Sequence, residues 1–205
     1  MRKLLIAIGL ALAGGALWWR RNPSAMPYWQ RFFVELPHVG ITRERLIEIL
    51  EPRPRERLLE VGPGTGYYAL DVARRLDKGR LEVYDLEPRM VEHVMERARR
   101  EGIANTTGWT GDAREMLFED DRFDAAYLTM VLGEIPDQDA ALRELARVVK
   151  PGGRVVVGEL ALDPHYVRLP QLRERAQRAG LEFDRQLGGG GAYFARFRVP
   201  EPTAA

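Results

Sequence analysis

The sequence of 205 residues contains no cysteine and only three histidines. The absence of cysteine excludes disulfides, thiolate zinc sites, iron–sulfur clusters and cysteine nucleophiles. The histidines, at His38, His93 and His165, lie far apart in the chain, so we expect no metal site. Because 45% of the residues are hydrophobic and 30% are charged, the chain can bury a core and does not have the composition of a disordered protein.

The net charge is only +1, and it is unevenly distributed along the chain. Residues 1–57 carry ten Lys or Arg and five Asp or Glu, whereas residues 58–205 carry an acidic excess. A nearly neutral body lacks the basic surface that nucleic acids require, so no nucleic-acid partner is expected. The basic N-terminal part instead suits a domain that is held near an anionic membrane surface.

Residues 4–19 form an uninterrupted apolar run of sixteen residues. A helix of this length spans about 24 Å, against a hydrocarbon core of about 30 Å. Arg and Lys flank the run, and Trp18 and Trp19 suit the headgroup level, so residues 1–21 are interpreted as an uncleaved membrane anchor. The alternatives are a signal peptide cleaved at Ala11-Leu12-Ala13, or a core helix.

Residues 22–40 form an aromatic linker in which a second helix is expected over Met26–Leu36. Its apolar side chains recur at helical spacing. Three roles are open for this face: it lies on a bilayer, covers a ligand pocket, or packs on the main domain. The residues concerned are Met26, Trp29, Phe32, Phe33 and Leu36.

From residue 41 to residue 199, short apolar strands alternate with helical segments, and this pattern indicates a parallel α/β sheet. The expected strands are Arg57–Val61, Leu81–Asp85, Thr106–Thr110, Phe123–Thr129 and Arg154–Leu160, followed by a hairpin of Leu181–Leu187 and Ala192–Val199. The expected helices are Ile41–Leu50, Tyr67–Leu76, Pro88–Arg100, Asp137–Val149 and Arg168–Ala179. Residues 200–205 are a short tail.

A glycine-rich turn follows the first expected strand, in the segment from Glu60 to Gly66. Its spacing is G-x-G-x-G. The dinucleotide fingerprint would need a glycine at position 67, which is Tyr67, and a phosphate-binding loop would need a following Lys-Ser or Lys-Thr. A carboxylate beside such a turn suits a ligand with a cationic amine better than it suits a pyrophosphate.

Two further acidic residues stand where the next strands end. Asp85 follows the second strand, at the place where a carboxylate accepts hydrogen bonds from ribose hydroxyls. Asp112 follows the third strand and can accept a hydrogen bond from an exocyclic amine. Together with Glu60, these residues indicate a ligand that joins an adenosine to an amino-acid side arm.

Five motifs in this order make residues 41–199 resemble the class I S-adenosylmethionine-dependent methyltransferases, close to the type 11 group. They are Glu60–Gly66, Tyr84–Pro88, Gly111–Ala113, Phe123–Ala126 with Val131–Pro136, and Leu142–Gly153. The resemblance implies a Rossmann-like α/β fold: a seven-stranded mixed sheet of order 3-2-1-4-5-7-6 with helices on both faces.

The resemblance also implies S-adenosylmethionine as the cofactor. Its methionine arm is expected at the glycine turn, its ribose and adenine at the acidic residues, and its sulfonium at the end of the fourth strand. The cofactor-binding residues implied are Glu60, Gly62, Pro63, Gly64, Thr65, Gly66, Asp85, Leu86, Asp112, Ala113, Thr129 and Met130.

Three residues are candidates for a catalytic base or an acceptor-orienting group: Glu134, His165 and Tyr166. They lie in loops expected at the same end of the sheet, although residues of these types also serve as ordinary surface or packing groups. The segment that follows the fourth strand lacks the Asn/Asp-Pro-Pro motif of nucleobase amine methyltransferases. It also lacks the cluster of carboxylates that an aminopropyl transferase uses.

The expected function is methyl transfer by in-line displacement to a small lipophilic acceptor: a thiol, a phenol or quinol, or a phospholipid headgroup. Because S-adenosylmethionine is an intracellular cofactor, the catalytic domain is expected to face the cytoplasm, which favours the anchor over a secretory signal. The alternative is a non-catalytic, membrane-tethered scaffold or sensor that binds S-adenosylmethionine. The oligomeric state is left open.

Overall fold

The computed structural model of the protein describes residues 40–202. Within that range, no helix has both the length and the apolar character needed to cross a membrane. The expected anchor over residues 1–21 and the expected helix over Met26–Leu36 lie outside the described residues. Both therefore stay predictions.

The chain folds around one mixed sheet of seven strands. These are β1 (Arg57–Val61), β2 (Arg80–Asp85), β3 (Thr106–Thr110), β4 (Phe123–Thr129), β5 (Val149–Leu160), β6 (Glu182–Gly189) and β7 (Ala192–Arg198). Their order is β3-β2-β1-β4-β5-β7-β6, and β7 is the one strand of this sheet that runs in the opposite direction to the other six. The sheet order implied by the sequence is confirmed.

Helices cover both faces of the sheet, each burying its apolar side against the strands. They are α1 (Arg43–Leu50), α2 (Ala69–Ala73), α3 (Pro88–Arg100), α4 (Gln138–Val148) and α5 (Leu169–Arg178), with a 3₁₀ turn at Leu132–Glu134. One core layer contains side chains of α4 and α5, and the other contains side chains of α1, α2 and α3. This two-sided burial explains why the strands read as nearly continuous apolar runs.

Two elements have an end that differs by three or more residues from the sequence expectation. Helix α2 ends at Ala73 rather than Leu76, because the side-chain amide of Asn105 donates hydrogen bonds to the carbonyl oxygens of both residues, at 2.9 and 2.6 Å. Strand β5 begins at Val149 rather than Arg154, because its Pro-Gly-Gly segment is bonded to the end of the chain. There the N–H of Gly152 donates to the Val199 carbonyl at 2.8 Å.

Two buried arginines attach the C-terminus of α1 to the sheet. Arg154 donates to the Leu50 carbonyl at 2.9 Å and makes a two-pronged ion pair with Glu56, at 3.0 and 2.7 Å. Arg196 donates to the Ile49 carbonyl at 2.9 Å. Terminal helix carbonyls have no partner inside their own helix, so the guanidinium groups satisfy atoms that would otherwise be buried and unpaired.

Candidate functional site

The glycine turn lies at the carboxyl ends of β1 and β4, as expected for a ligand site in an open α/β sheet. Gly62, Gly64 and Gly66 have φ angles of +66°, +54° and +82°, a region that other residues rarely adopt. A Cβ on Gly62 would lie 2.4 Å from Cγ2 of Val131. The turn therefore brings the backbone of the loop directly against the segment that follows β4.

Glu60 is buried beneath this turn and faces Tyr127 across the β1–β4 pair. The hydroxyl of Tyr127 donates a hydrogen bond to Oε2 of Glu60 at 2.8 Å. Burial raises the pKa of Glu60 to about 8, and the nearby charge of Asp85 adds to the effect. A buried carboxyl of this kind is strongly stabilised as a carboxylate by a cationic amine, which is the partner that the sequence suggested.

Asp85 occupies the end of β2, beside the glycine turn. Its Oδ1 accepts a hydrogen bond from the N–H of Glu87 at 2.8 Å. Burial raises the pKa of Asp85 to about 6. The next residue, Leu86, leaves 57% of its surface exposed. A carboxylate next to an exposed apolar side chain suits a ligand that presents hydroxyls on one side and an aromatic ring on the other.

Asp112 also lies where expected, but its carboxylate already has a cationic partner. The guanidinium of Arg114 contacts both of its oxygens, at 2.6 to 3.0 Å, and lowers the pKa of Asp112. Gly111 is required beside it, since a Cβ there would lie 2.0 Å from the hydroxyl of Tyr84. An adenine amine that binds Asp112 would therefore share the carboxylate with Arg114, a feature the sequence did not indicate.

Two buried hydroxyls border the same site. Oγ1 of Thr65, in the glycine turn, and Oγ1 of Thr129, at the end of β4, have no hydrogen-bond partner among the described residues. Arg97 of α3 holds the turn by donating to the Thr65 carbonyl at 3.2 Å. Carboxylates for an amine and a diol, a turn of glycines with positive φ angles, and two hydroxyls without partners among the described residues together fit an adenosine with an amino-acid arm.

The three candidate catalytic residues lie in the segments that follow β4 and β5. Glu134 ends the 3₁₀ turn, and His165 packs against the adjacent Gly133, where a Cβ would lie 1.9 Å from the His165 carbonyl oxygen. Tyr166 donates its hydroxyl to the Gly190 carbonyl at 3.2 Å. The structure thus brings His165 against the residue before Glu134, whereas the hydroxyl of Tyr166 is bonded to the turn between β6 and β7, and the catalytic roles of all three stay predictions.

Sequence reasoning missed two buried polar residues near the site, Tyr127 and Glu159. The hydroxyl of Tyr127 is the hydrogen-bond donor to Glu60, from which it is separated by 67 positions. Glu159 lies at the carboxyl end of β5, and one of its oxygens accepts the N–H of Val167 at 3.1 Å. The signal in the sequence was a lone acidic residue after the apolar run of β5.

Comparison with known proteins also points to a methyltransferase domain. Residues 58–153 match the family model described as a methyltransferase domain. The ubiquinone/menaquinone biosynthesis C-methyltransferase UbiE of Ruegeria sp. is 37% identical over 131 residues, which cover 62% of this chain and 52% of that protein. The 2-phytyl-1,4-naphtoquinone methyltransferase of Synechococcus elongatus is 35% identical over 61% of this chain and 53% of its own length. The chain thus spans about half the length of the curated relatives it matches.

Solved structures show the same fold. A SAM-dependent methyltransferase from Aquifex aeolicus superposes with a TM-score of 0.78 over 85% of this chain and 99% of that one, at 16% identity. The [4+2]-cyclase SpnF superposes with a TM-score of 0.72 over 78% of this chain and 80% of its own, at 22% identity. Residues 58–153, a little under half of the chain, thus match a methyltransferase domain, the sheet order is that of the Rossmann-like methyltransferase fold, and the cofactor that this match implies is S-adenosylmethionine.

Proposed function

We propose that the protein transfers a methyl group from S-adenosylmethionine to a small lipophilic acceptor of the quinol type. The observation that carries the proposal is the buried carboxyl of Glu60 together with the half-buried carboxyl of Asp85, at the ends of the neighbouring strands β1 and β2. Relatives named as quinone-pathway methyltransferases support the choice of acceptor class. A lipophilic acceptor also agrees with an N-terminal membrane anchor.

Each residue has a role that its position supports. Glu60 holds the amino group of the methionine arm, the glycine turn admits that arm to the backbone, and Asp85 binds the ribose diol. Bound S-adenosylmethionine supplies an electrophilic methyl group. The segment of Thr129 and Met130 ends β4 beside this site, and it positions the acceptor within about 3–3.5 Å of the methyl carbon while excluding water.

The test is a screen of acceptors with labelled S-adenosylmethionine and the full-length protein. Reduced 1,4-naphthoquinone, a simple phenol, an alkane thiol and phosphatidylethanolamine vesicles represent the acceptor classes. Label is expected in the extracted quinol. Asp85→Ala should weaken cofactor binding about 10- to 150-fold, the usual value of a hydrogen bond to a charged group. The exposed Asp77→Ala is the matched control and should leave binding unchanged.

Two results would contradict the proposal in different ways. Cofactor binding without transfer to any acceptor would favour a non-catalytic, membrane-tethered scaffold or sensor. Absence of cofactor binding by the folded protein would overturn both functions.

We also propose that residues 1–21 anchor the protein in a membrane, with the catalytic domain facing the cytoplasm and residues 22–40 covering the acceptor site. The sixteen-residue apolar run with basic flanks supports this arrangement. The full-length protein should sediment with membranes, resist extraction by salt and retain residues 1–21 by intact mass. A mature chain that begins near Gly14 would instead establish the signal peptide.

A further inference from the structure

A further buried carboxyl, that of Glu159, lies near the carboxyl end of β5. It is only 1% exposed, and it pairs with Tyr193 of β7. Its neighbour Gly158 pairs with Thr129 at the end of β4 and packs on it, so Glu159 points to the opposite face of the sheet. It therefore lies next to the cofactor site but is not part of it.

Only one of the two oxygens of Glu159 has a partner. Oε2 of Glu159 accepts a hydrogen bond from the N–H of Val167 at 3.1 Å. The carbonyl oxygen of Val167 accepts a hydrogen bond from the hydroxyl of Tyr193 at 2.6 Å. Both peptide groups of Val167 are thus in use. Oε1 of Glu159 is buried and has no hydrogen-bond partner in residues 40–202. Since buried polar atoms are almost always paired, this oxygen indicates a missing ligand group or water.

The surroundings of Glu159 favour its neutral form. Burial, reinforced by the charges of Asp163 and Glu134, raises the pKa of Glu159 to about 8. At pH 7 the group therefore carries a proton, and its unpartnered oxygen can donate a hydrogen bond. The titratable or charged groups around it are Asp163, His165, Tyr166 and Arg168 of the loop after β5, Glu134 of the 3₁₀ turn, and Tyr193 of β7.

Besides these polar groups, aromatic and apolar side chains belong to the core layer on this face of the sheet. The rings of Tyr166 and Tyr193 lie 6.1 Å apart, centre to centre, and Leu132 and Val167 belong to the same core layer. A neutral hydrogen-bond donor among such side chains suits an uncharged ring that bears oxygen.

We propose that Glu159 is a specificity-determining residue of the acceptor site, where its Oε1 donates a hydrogen bond to an oxo or hydroxyl oxygen of a neutral, ring-bearing acceptor. This inference rests on the proposed function and specifies its substrate class. Because Oε1 is enclosed, binding requires the loop of residues 161–168 to part from the 3₁₀ turn. The contact to be opened is the one between the His165 carbonyl and Gly133.

The test measures the binding of 1,4-naphthoquinone by calorimetry, with S-adenosylhomocysteine present, between pH 7 and pH 9. The oxygens of this probe can only accept hydrogen bonds, so ionised Glu159 cannot hold them. Affinity for the wild-type protein should fall about threefold to tenfold across this range, the value of one neutral hydrogen bond. In Glu159→Gln the amide accepts the Val167 N–H and donates at every pH, so affinity should be independent of pH.

Glu174→Gln, an exposed substitution on α5, is the matched control and should keep the wild-type pH dependence. If naphthoquinone binding by the wild-type protein is independent of pH, the role of Glu159 in acceptor binding is wrong, while the proposed function still stands. Glu159 would then bind only Val167 of the loop, or a water. If naphthoquinone does not bind and no quinol is methylated, the proposed function fails as well.

Discussion

S-adenosylmethionine is expected to bind this protein progressively more weakly as the pH falls below 8. In the unliganded protein the pKa of Glu60 is raised to about 8, so the group is protonated below that pH. The amino group of the cofactor needs the carboxylate, so binding at lower pH must expel a proton. The dissociation constant should therefore rise by up to about tenfold per pH unit well below pH 8, or about 50-fold from pH 8 to pH 6.

Calorimetry across this pH range measures the effect, and two buffers of different ionisation enthalpy reveal the released proton. Above pH 8 the α-amino group of the ligand, with a pKa of about 7.7–8.0, loses its own proton, so binding should be strongest near pH 8. Glu60→Gln should remove most of the loss on the acid side. The residual loss nearer pH 6 belongs to Asp85, whose pKa is about 6, and Asp85→Asn should remove it.

Tyr127→Phe tests the role of Glu60 more directly, because Tyr127 is its hydrogen-bond donor. The hydroxyl of Tyr127 lowers the pKa of Glu60 through its hydrogen bond, although burial outweighs this effect. Removing it should therefore move the loss of binding to a higher pH without changing the charge of the site. If the affinity of the wild-type protein is constant between pH 6 and pH 8, Glu60 does not meet the amino group.

Arg154→Ala is expected to lower the free energy of unfolding by about 3–5 kcal/mol, as is typical when one partner of a buried ion pair is removed. The substitution leaves the buried carboxylate of Glu56 without this guanidinium and the Leu50 carbonyl without its donor. Denaturation by urea, followed by circular dichroism, measures the loss.

The matched control is Arg198→Ala, because Arg198 of β7 is the residue that pairs with Arg154 of β5 in the sheet. Its guanidinium is half exposed and pairs with Asp184 at 3.2 Å, so its removal should cost no more than about 1 kcal/mol. Arg154 lies midway along β5 and not at its carboxyl end, where the cofactor residues are, so folded Arg154→Ala should keep its cofactor affinity. A loss below 1 kcal/mol for Arg154→Ala would show that the pair does not fasten α1.

Much of the fold could be predicted because its signals are local. Strand β4 is an apolar run that begins at Phe123, and α3 starts with Pro88, a residue that favours the first turn of a helix. The order of the strands came from motif resemblance, since alternation of strands and helices alone establishes only a parallel sheet. The positions of Glu60 and Asp85 followed from the rule that ligand sites lie at carboxyl ends of strands.

What could not be predicted depends on contacts between distant residues. The partner of Glu60 is 67 positions away, and the cap that shortens α2 comes from Asn105, in the segment before β3. Arg114 lies two positions from Asp112, yet the sequence does not show which of many nearby arginines closes on that carboxylate. The unpartnered oxygen of Glu159 likewise becomes visible only when its neighbours are in place.

The pairing of β1 with β4 also determines when the cofactor site comes into existence. Glu60 and Tyr127 are adjacent in the sheet, but β2, α3 and β3 all lie between them in the chain. Closing such a long loop is a late and slow event in folding, because its entropy cost precedes the contacts that reward it. The cofactor therefore cannot act as a template for folding; it can only stabilise a chain that has already assembled its central strands.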